Sequence, residues 1–285
     1  MKKRPVDLLI ISDVHLGTYG CHANELLHYM KSVKPGMVVL NGDFIDMWQF
    51  SKNYWPHAHM QVIKQIITWI NKDIKVYYIT GNHDEMLRKF AGFSMGTFTI
   101  DNKLLLELDN KKIWLFHGDV FDVTMQHSKW LTRLGSHGYD LLILINAVSN
   151  WISVRMGKGK ISLSKKIKSA VKSAVSYINN FEETCANVAI ANGYDYVICG
   201  HIHHPEMKLV TTPKGKVNYL NSGDWVENLT SIEYHQGEWR IYKYEDDTVF
   251  DEHEEEDHPH NWNNKQIFET MLKEFNLQHK VQVQI

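Results

Sequence analysis

The chain has 285 residues, 44% of them hydrophobic, so it is long enough for one large domain or two small ones around a sizeable core. Its formal net charge of −2 says little about partners, because basic residues concentrate in the middle of the chain and acidic residues near its end. Three cysteines without paired spacing argue against a disulfide framework and indicate a reducing compartment.

The first predicted strand ends in a carboxylate and an imidazole. Residues 6–11 form a continuous apolar run, as expected for a strand buried on both faces, and Asp13 and His15 follow it. Two positions apart in an extended chain, these side chains can face the same side. Asp-x-His often occurs by chance, so the pair taken alone favours a structural turn.

The second predicted strand ends in a similar way. Helical apolar spacing covers residues 24–34, and a short buried strand follows at residues 37–40. Asp43 and Asp46 come directly after it. The structural alternative for these two acids is a helix cap and a first-turn carboxylate.

The third predicted strand, at residues 75–79, follows a predicted helix over residues 61–71. We interpret His57 and His59, in the proline-containing loop before that helix, as surface residues. The strand ends in a polar segment that consists of Gly81, Asn82, His83 and Asp84. A turn that only caps the next element is the structural alternative, and no separate role is predicted for Asp84.

Two further strand ends carry histidines. A strand pair is predicted around residues 98–108, and the strand at residues 112–116 ends in His117. After a long interruption, the strand at residues 196–199 is followed by His201 and His203. Antiparallel strands are predicted at the end of this region, over residues 217–220, 231–235 and 239–244.

The polar strand ends predict one common site. Alternating strands and helices with glycines at the strand ends are typical of a layered α/β protein, whose ligands collect at the carboxyl ends of the strands. The side chains delivered there are Asp13, His15, Asp43, Asn82, His117, His201 and His203. Seven oxygen and nitrogen donors exceed one tetrahedral zinc site but suit two divalent ions that share a carboxylate. We expect Mn²⁺, with Fe or Zn²⁺ as alternatives.

Five motifs, in this order, resemble the calcineurin-like metallophosphoesterase superfamily over residues 6–245: Asp-x-His, Gly-Asp-x-x-Asp, Gly-Asn-His-Asp, His-Gly-Asp and Gly-His-x-His. The resemblance implies a sandwich of two mixed β-sheets flanked by helices, with a dinuclear metal centre. By position, the residues implied for the first metal are Asp13, His15 and His203. Those implied for the second metal are Asn82, His117 and His201, with Asp43 bridging the two.

The same resemblance implies that His83 acts beside the metals and that Asp46 orients it. Two metals can polarise a phosphoryl group and lower the pKa of a bridging water, and the resulting hydroxide would attack phosphorus in line with the leaving oxygen. His83 could then protonate the leaving group or stabilise the transition-state charge. The sequence leaves both roles open.

The substrate depends on the insertion between His117 and His201. Residues 141–156 have the apolar spacing of a helix. Seven basic residues and no acidic one lie between residues 141 and 181, namely Arg155, Lys158, Lys160, Lys165, Lys166, Lys168 and Lys172. One interpretation is a helical cap with a solvated basic face; the other is a lid for an amphiphilic anionic substrate or an anionic membrane surface. So few basic residues predict only non-specific electrostatic binding of nucleic acid.

Within the superfamily, the chain looks most like the UDP-2,3-diacylglucosamine pyrophosphatase branch. The features are Asp-Val-His-Leu-Gly after the first strand, Gly-Asp-Phe-Ile-Asp-Met-Trp at residues 42–48, and the helical insert. Well-known members carry arginine in place of His83 and glutamate in place of Asp46. These two departures favour the general phosphodiesterase pattern, whereas the resemblance to the branch predicts a pyrophosphatase acting on a nucleotide lipid. The alternatives are a general phosphodiesterase, for cyclic nucleotides or nucleic acid, and a non-catalytic scaffold.

The expected organisation is a metallophosphoesterase domain over residues 1–245, with a helical cap at residues 125–192. An acidic linker and tail would occupy residues 246–285, and weak helical spacing at residues 265–275 has no predicted function. We expect neither an export signal nor a transmembrane helix, because no apolar run reaches about 18 residues. The predicted location is cytoplasmic, with possible peripheral contact at the inner membrane face.

Overall fold

The structure is a computed structural model that describes residues 3–48, 54–122 and 164–246, with only the backbone given for residues 164–175 and 246. The predicted helix at residues 141–156, the basic side chains of the insert and the tail beyond residue 246 lie outside the described residues. The extents of the cap and of the tail remain predictions. Within the described ranges, no helix combines the length and apolar composition needed to cross a membrane.

Three α-helices and twelve strands are found in the described part of the chain. The helices are α1 (Ala23–Ser32), α2 (His57–Ile70) and α3 (Ser164–Ala191). The strands are β1 (Arg4–Ile11), β2 (Val33–Asn41), β3 (Lys75–Ile79), β4 (Phe93–Met95), β5 (Phe98–Asp101), β6 (Lys103–Leu108), β7 (Lys111–Phe116), β8 (Tyr196–Cys199), β9 (Glu206–Thr212), β10 (Gly215–Asn221), β11 (Thr230–His235) and β12 (Glu238–Lys243).

The strands form two mixed sheets. The seven-stranded sheet has the order β12-β11-β1-β2-β3-β5-β4, and the five-stranded sheet has the order β6-β7-β8-β10-β9. In the first sheet β1, β2, β3 and β5 are parallel, and in the second β7, β8 and β10 are parallel. The carboxyl ends of parallel strands lie at one edge of a sheet, which is where the polar segments of the sequence begin. The predicted pair of mixed sheets flanked by helices is confirmed.

Alternate residues of β1 explain its unbroken apolar run. Leu8 and Ile10 pack between the sheets against Leu115 of β7 and other side chains of the second sheet. Leu9 and Ile11 face the opposite way, into a core shared with α1 and α2. Because both faces are covered, neither can be polar.

Helix α3 completes the outer face of the second sheet. Phe181, Cys185 and Ala189 lie at helical spacing and are fully buried against β8 and β10. The carboxyl-terminal half of this helix is therefore part of the core, although the sequence places it within the insert.

Several predictions about strands and their pairing need correction. The predicted strand pair at residues 98–108 is wrong, because β5 pairs with β3 and β4 whereas β6 pairs with β7 in the other sheet. Strand β9 was missed; its alternating half-buried pattern suits a sheet edge. The predicted antiparallel arrangement holds for β11 and β12, but β10 is antiparallel to β9 and parallel to β8.

The interpretation of His59 as a surface residue is also wrong. Helix α2 begins at His57, directly after Pro56, so both histidines lie in the helix rather than in a loop. His57 is exposed. His59 is only 2% exposed, and its Nδ1 accepts a hydrogen bond of 3.0 Å from the backbone N–H of Gly17. Burial lowers the pKa of His59 to about 4, so this ring is neutral at physiological pH.

Candidate metal centre

Backbone hydrogen bonds join the segments that follow β1, β2, β7 and β8. The Asp13 N–H donates to the Gly42 carbonyl at 3.1 Å, and the His15 N–H donates to the Asp43 carbonyl at 2.9 Å. The Gly200 N–H donates to the His117 carbonyl at 2.9 Å. The candidate side chains are thus fixed by the main chain before any ligand is considered.

Five of the seven predicted donors have a backbone conformation that residues other than glycine rarely adopt. Positive φ angles of 53°, 54°, 52°, 68° and 51° occur, respectively, at Asp13, His15, Asp43, His201 and His203. Such conformations cost free energy and are concentrated at functional sites, where surrounding contacts maintain them.

Two groups of donors lie side by side. In each group, the donor atoms lie within 4.8 Å of one another; the first group is Asp13, His15 and His203, and the second is Asp43, His117 and His201. His117 joins the groups, because its Nε2 is 3.1 Å from Asp43 Oδ2 and 4.0 Å from Asp13 Oδ1. The first group has the members that the family resemblance implies for one metal, and the second contains two of the three implied for the other metal, His117 and His201, together with Asp43.

The two ring nitrogens of His117 have different roles. Nδ1 lies 2.9 Å from the carbonyl oxygen of Asn41, which can only accept, so Nδ1 carries the proton. In the neutral ring, the unprotonated Nε2 would then face two carboxylates. Lone pairs opposed at this distance need a proton or a cation between them. This geometry fits a divalent cation.

Buried polar atoms without hydrogen-bond partners also fit a metal. Within the described part of the chain, such atoms at this site are His15 Nε2, Asn82 Oδ1 and His117 Nε2. A buried acceptor without a partner is costly, and two bound cations, one beside His15 and one beside Asn82 and His117, would satisfy all three. Asn82 belongs to neither donor group, so its place at the site is supported only by this buried oxygen without a partner.

The ionisation of Asp13 and Asp43 depends on the charged groups beside them. Burial by itself would raise the pKa of Asp13, but the charge of His117 and the hydrogen bond from His203 bring it below its usual value. For Asp43, burial is likewise outweighed by the charge and hydrogen bond of His117, and its pKa falls. Burial would lower the pKa of His203, but the hydrogen bond to Asp13 raises it to about 9. The carboxylates are therefore ionised when positive charge lies beside them, whether it is carried by protonated His117 or by a cation in place of that proton.

His83 and Asp46 form a separate pair at the edge of the site. His83 Nδ1 lies 2.7 Å from Asp46 Oδ2, and the same oxygen lies 3.2 Å from His15 Nδ1. Burial would lower the pKa of His83, but the hydrogen bond and charge of Asp46 raise it. The Trp48 ring lies near the His83 ring, with 4.6 Å between their centroids, and the backbone N–H of Trp48 donates to Asp46 Oδ1 at 3.0 Å. His83, Asp46 and His15 also constitute a third group with donor atoms within 4.8 Å.

Asp84 has a positional role that the sequence did not reveal. Its fully buried carboxylate accepts hydrogen bonds from the Gly81 N–H at 2.6 Å, the Phe44 N–H at 3.1 Å and the Tyr78 hydroxyl at 2.6 Å. It therefore links the segment after β3 to the segment after β2. The signal was its place in the Gly-Asn-His-Asp motif, but the partner loop could not be read from the sequence.

Two glycines allow the carboxylates to approach the main chain. A Cβ atom on Gly81 would clash with Asp43 Oδ1, and one on Gly200 would clash with Asp13 Oδ2 and would lie 2.7 Å from Ser12 Oγ. The absence of a side chain at these strand ends is therefore a requirement of the site.

Comparisons with known proteins identify relatives. A sequence profile described as calcineurin-like phosphoesterase matches residues 6–205. A UDP-2,3-diacylglucosamine hydrolase from Aliivibrio fischeri (strain MJ11) is 24% identical over 243 residues, covering 84% of this chain and 98% of that protein. The protein of the same name from Blochmanniella pennsylvanica (strain BPEN) is 22% identical over 245 residues, covering 81% and 93%. Among solved structures, the Escherichia coli phosphoesterase Yfce is 13% identical, covering 84% of this chain and 93% of that one, with a TM-score of 0.42.

Proposed function

The chain belongs to the calcineurin-like phosphoesterase family, and from this premise we propose that it is a pyrophosphatase acting on a UDP-2,3-diacylglucosamine-like nucleotide lipid. The broader activity, metal-dependent hydrolysis of a phosphoester, follows from the family and from the hydrolase names of its relatives. In the proposed reaction, water adds to one phosphorus of the pyrophosphate. The P–O bond to the other phosphate breaks, and the products are UMP and the phosphorylated lipid.

The observation that carries the proposal is the position of His117 Nε2 between the carboxylates of Asp13 and Asp43. Asp13, His15 and His203 would hold one divalent cation, and Asn82, His117 and His201 the other, with Asp43 shared. We propose Mn²⁺ because the donors are carboxylate, amide and imidazole groups without a thiolate. When bound, the two cations would supply Lewis acidity at the phosphoryl oxygens and a lower pKa for a coordinated water.

His83 is the side chain that we assign to proton transfer or charge stabilisation. Its Nδ1 is held by Asp46, so the carboxylate fixes the ring orientation and favours the protonated form. A protonated imidazole can donate to the leaving phosphate oxygen. His83 is partly accessible, with 15% of its side chain exposed, whereas His117 is fully enclosed.

The nucleotide-lipid substrate is supported by the relatives' names and by the near-complete coverage of their chains. The acyl chains of such a substrate hold it in a membrane, and basic residues are concentrated between residues 141 and 181. A cytoplasmic protein in peripheral contact with an anionic membrane therefore belongs to the same proposal.

A general phosphodiesterase is the second candidate, and the His83–Asp46 pair favours it. The pyrophosphatase branch that the sequence resembles has arginine and glutamate at these two positions. An imidazole paired with an aspartate suits protonation of an alkoxide leaving group, whereas an arginine can only neutralise charge.

The test compares substrates directly. Mn²⁺-loaded protein is incubated with UDP-2,3-diacylglucosamine and, in parallel, with bis-p-nitrophenyl phosphate and a cyclic nucleotide, and products are identified by mass spectrometry. Release of UMP from the lipid at least tenfold faster than hydrolysis of the simple esters supports the pyrophosphatase. Activity on the simple esters alone would refute the lipid assignment. Asp43→Asn serves as the inactive control, because it removes the shared carboxylate while keeping its shape.

A further inference from the structure

His201 is held from outside the donor groups by Asp122. His201 Nε2 lies 3.0 Å from Asp122 Oδ1. The Tyr177 hydroxyl donates to the same Oδ1 at 2.9 Å. Asp122 directly follows the short helical turn Asp119–Phe121, which begins two residues after His117, while Tyr177 lies in helix α3. The His201 side chain is 2% exposed and that of Asp122 is 19% exposed, so water competes little for this bond.

The Asp122 contact determines which nitrogen of His201 can bind a cation. An ionised carboxylate only accepts hydrogen bonds, so the proton of the neutral His201 ring must be on Nε2. The lone pair is then on Nδ1, which becomes the nitrogen available to the group formed with Asp43 and His117. Histidines that bind metals commonly donate their other N–H to a carboxylate, which fixes the tautomer and makes the ring a stronger ligand.

Helix α3 supports this arrangement through two side chains one turn apart. Tyr177 fixes Asp122, and four residues later Phe181 is fully buried with its ring centroid 6.2 Å from that of His201. Phe181 also occupies the space beside Gly118, where an added Cβ would lie 2.7 Å from its Cζ. The same face of α3 thus contacts both histidine-bearing segments.

We propose that Asp122, held by Tyr177, is a positioning residue that sets the tautomer of His201 and thereby strengthens the second metal site. The inference rests on the proposed function, since it assumes that Asp43, His117 and His201 hold a cation. A consequence is that the packing of helix α3 beside His201 and the binding of that cation are coupled. Asp122 and Tyr177 act through His201 and need no contact with the substrate.

The experiment measures Mn²⁺ binding rather than activity. Parent protein, Asp122→Asn and Tyr177→Phe are stripped of metal and titrated with MnCl₂ by calorimetry, and the spin-coupled signal of a Mn²⁺ pair is followed by EPR. We expect the parent to bind two ions. Asp122→Asn should weaken one of the two sites by about 10- to 100-fold and leave the other unchanged. Tyr177→Phe should weaken the same site by a smaller factor, because Asp122 remains but loses one of its donors.

A second tyrosine–aspartate pair provides the matched control. The Tyr234 hydroxyl donates to Asp109, which lies in the turn before β7, at the end of that strand opposite to His117. Asp109→Asn and Tyr234→Phe make the same chemical changes there. They should leave both Mn²⁺ affinities at the parent values.

The outcomes separate the inference from the proposed function. A parent that binds fewer than two Mn²⁺ ions would refute the metal centre and the inference with it. A parent with two sites, beside an Asp122→Asn variant whose affinities are unchanged, would overturn the inference alone. Equal weakening of both sites in a folded variant would also overturn it, since a general structural defect does not select one site. If Asp122→Asn fails to fold, Tyr177→Phe decides: an unchanged second site contradicts the proposal.

Discussion

At the scale of single residues, the main chain and the side chain of His83 have separate tasks. Its backbone N–H donates to Asp43 Oδ1 at 2.8 Å, which helps to hold that carboxylate. Its ring is bonded to Asp46. Removal of the ring should therefore leave the two main donor groups in place.

We expect His83→Ala to retain two metal ions and to lose about 10²- to 10⁴-fold in turnover, the range typical of a lost general acid. Metal content by mass spectrometry and steady-state kinetics check the two parts of this prediction. His57→Ala is the control, because His57 is exposed on α2. If His83→Ala loses a metal ion, the ring is itself a ligand, in the third group with His15 and Asp46.

The sequence indicates the candidate donors more directly than the residues that position them. Asp13, Asp43 and His117 follow apolar strands directly, so the end of each apolar run indicates them. Asp84 and Asp122 each accept a hydrogen bond from a residue 40 or more positions away in the chain, from Phe44 and His201 respectively. Their partners depend on how the strand ends meet in space, and no local pattern encodes that.

At the scale of secondary-structure elements, helix α2 shows what apolar spacing leaves out. The spacing indicates a helix from residue 61, but the helix begins four residues earlier, after Pro56. Proline suits a helix start because it lacks the N–H that would otherwise be unsatisfied there. The extra turn carries His59 to the Gly17 N–H, so α2 is fastened to the segment that bears Asp13 and His15.

Burial of neutral His59 predicts a pH-dependent stability. Its pKa is about 4 in the folded protein and about 6.5 when the chain is unfolded, so between these values the unfolded state binds more protons. The stabilising contribution is complete above pH 6.5 and is lost as the pH falls towards 4. Between pH 7 and pH 5, this residue should lower the free energy of unfolding by roughly 1 to 2 kcal/mol.

The measurement is urea unfolding at pH 7 and pH 5 for the parent and for His59→Asn, which keeps an acceptor for Gly17 but does not titrate. The loss of stability on acidification should be smaller in the variant by the stated amount. His57→Asn, on the exposed face of the same helix, should behave like the parent. An equal loss in all three proteins would show that His59 is not the titrating group.

At the scale of the whole molecule, the amount of fold that the sequence predicts depends on how local the cause is. β1, β2 and β3 are covered on both faces, so their composition alone reveals them. The division of residues 98–108 between two sheets depends on partners far away in the chain, and β9 at a sheet edge lacks a fully buried face. Pairing of strands is therefore the part of the fold that composition and periodicity leave undetermined.

The candidate donors come from both sheets, which predicts that metal binding stabilises the whole domain. Asp13 and Asp43 follow strands of the seven-stranded sheet, whereas His117 and His201 follow strands of the other. A cation held by both sets binds the folded chain alone, and at 100 times its dissociation constant it adds about 2.7 kcal/mol per site. For a domain of this size, that raises the melting temperature by on the order of 5 to 10 °C per site.

Thermal unfolding with EDTA and with increasing MnCl₂ should show this rise, and Asp43→Asn should lose most of it while remaining folded by circular dichroism. A parent melting temperature that does not respond to Mn²⁺ would mean that the two sheets are not linked through a metal.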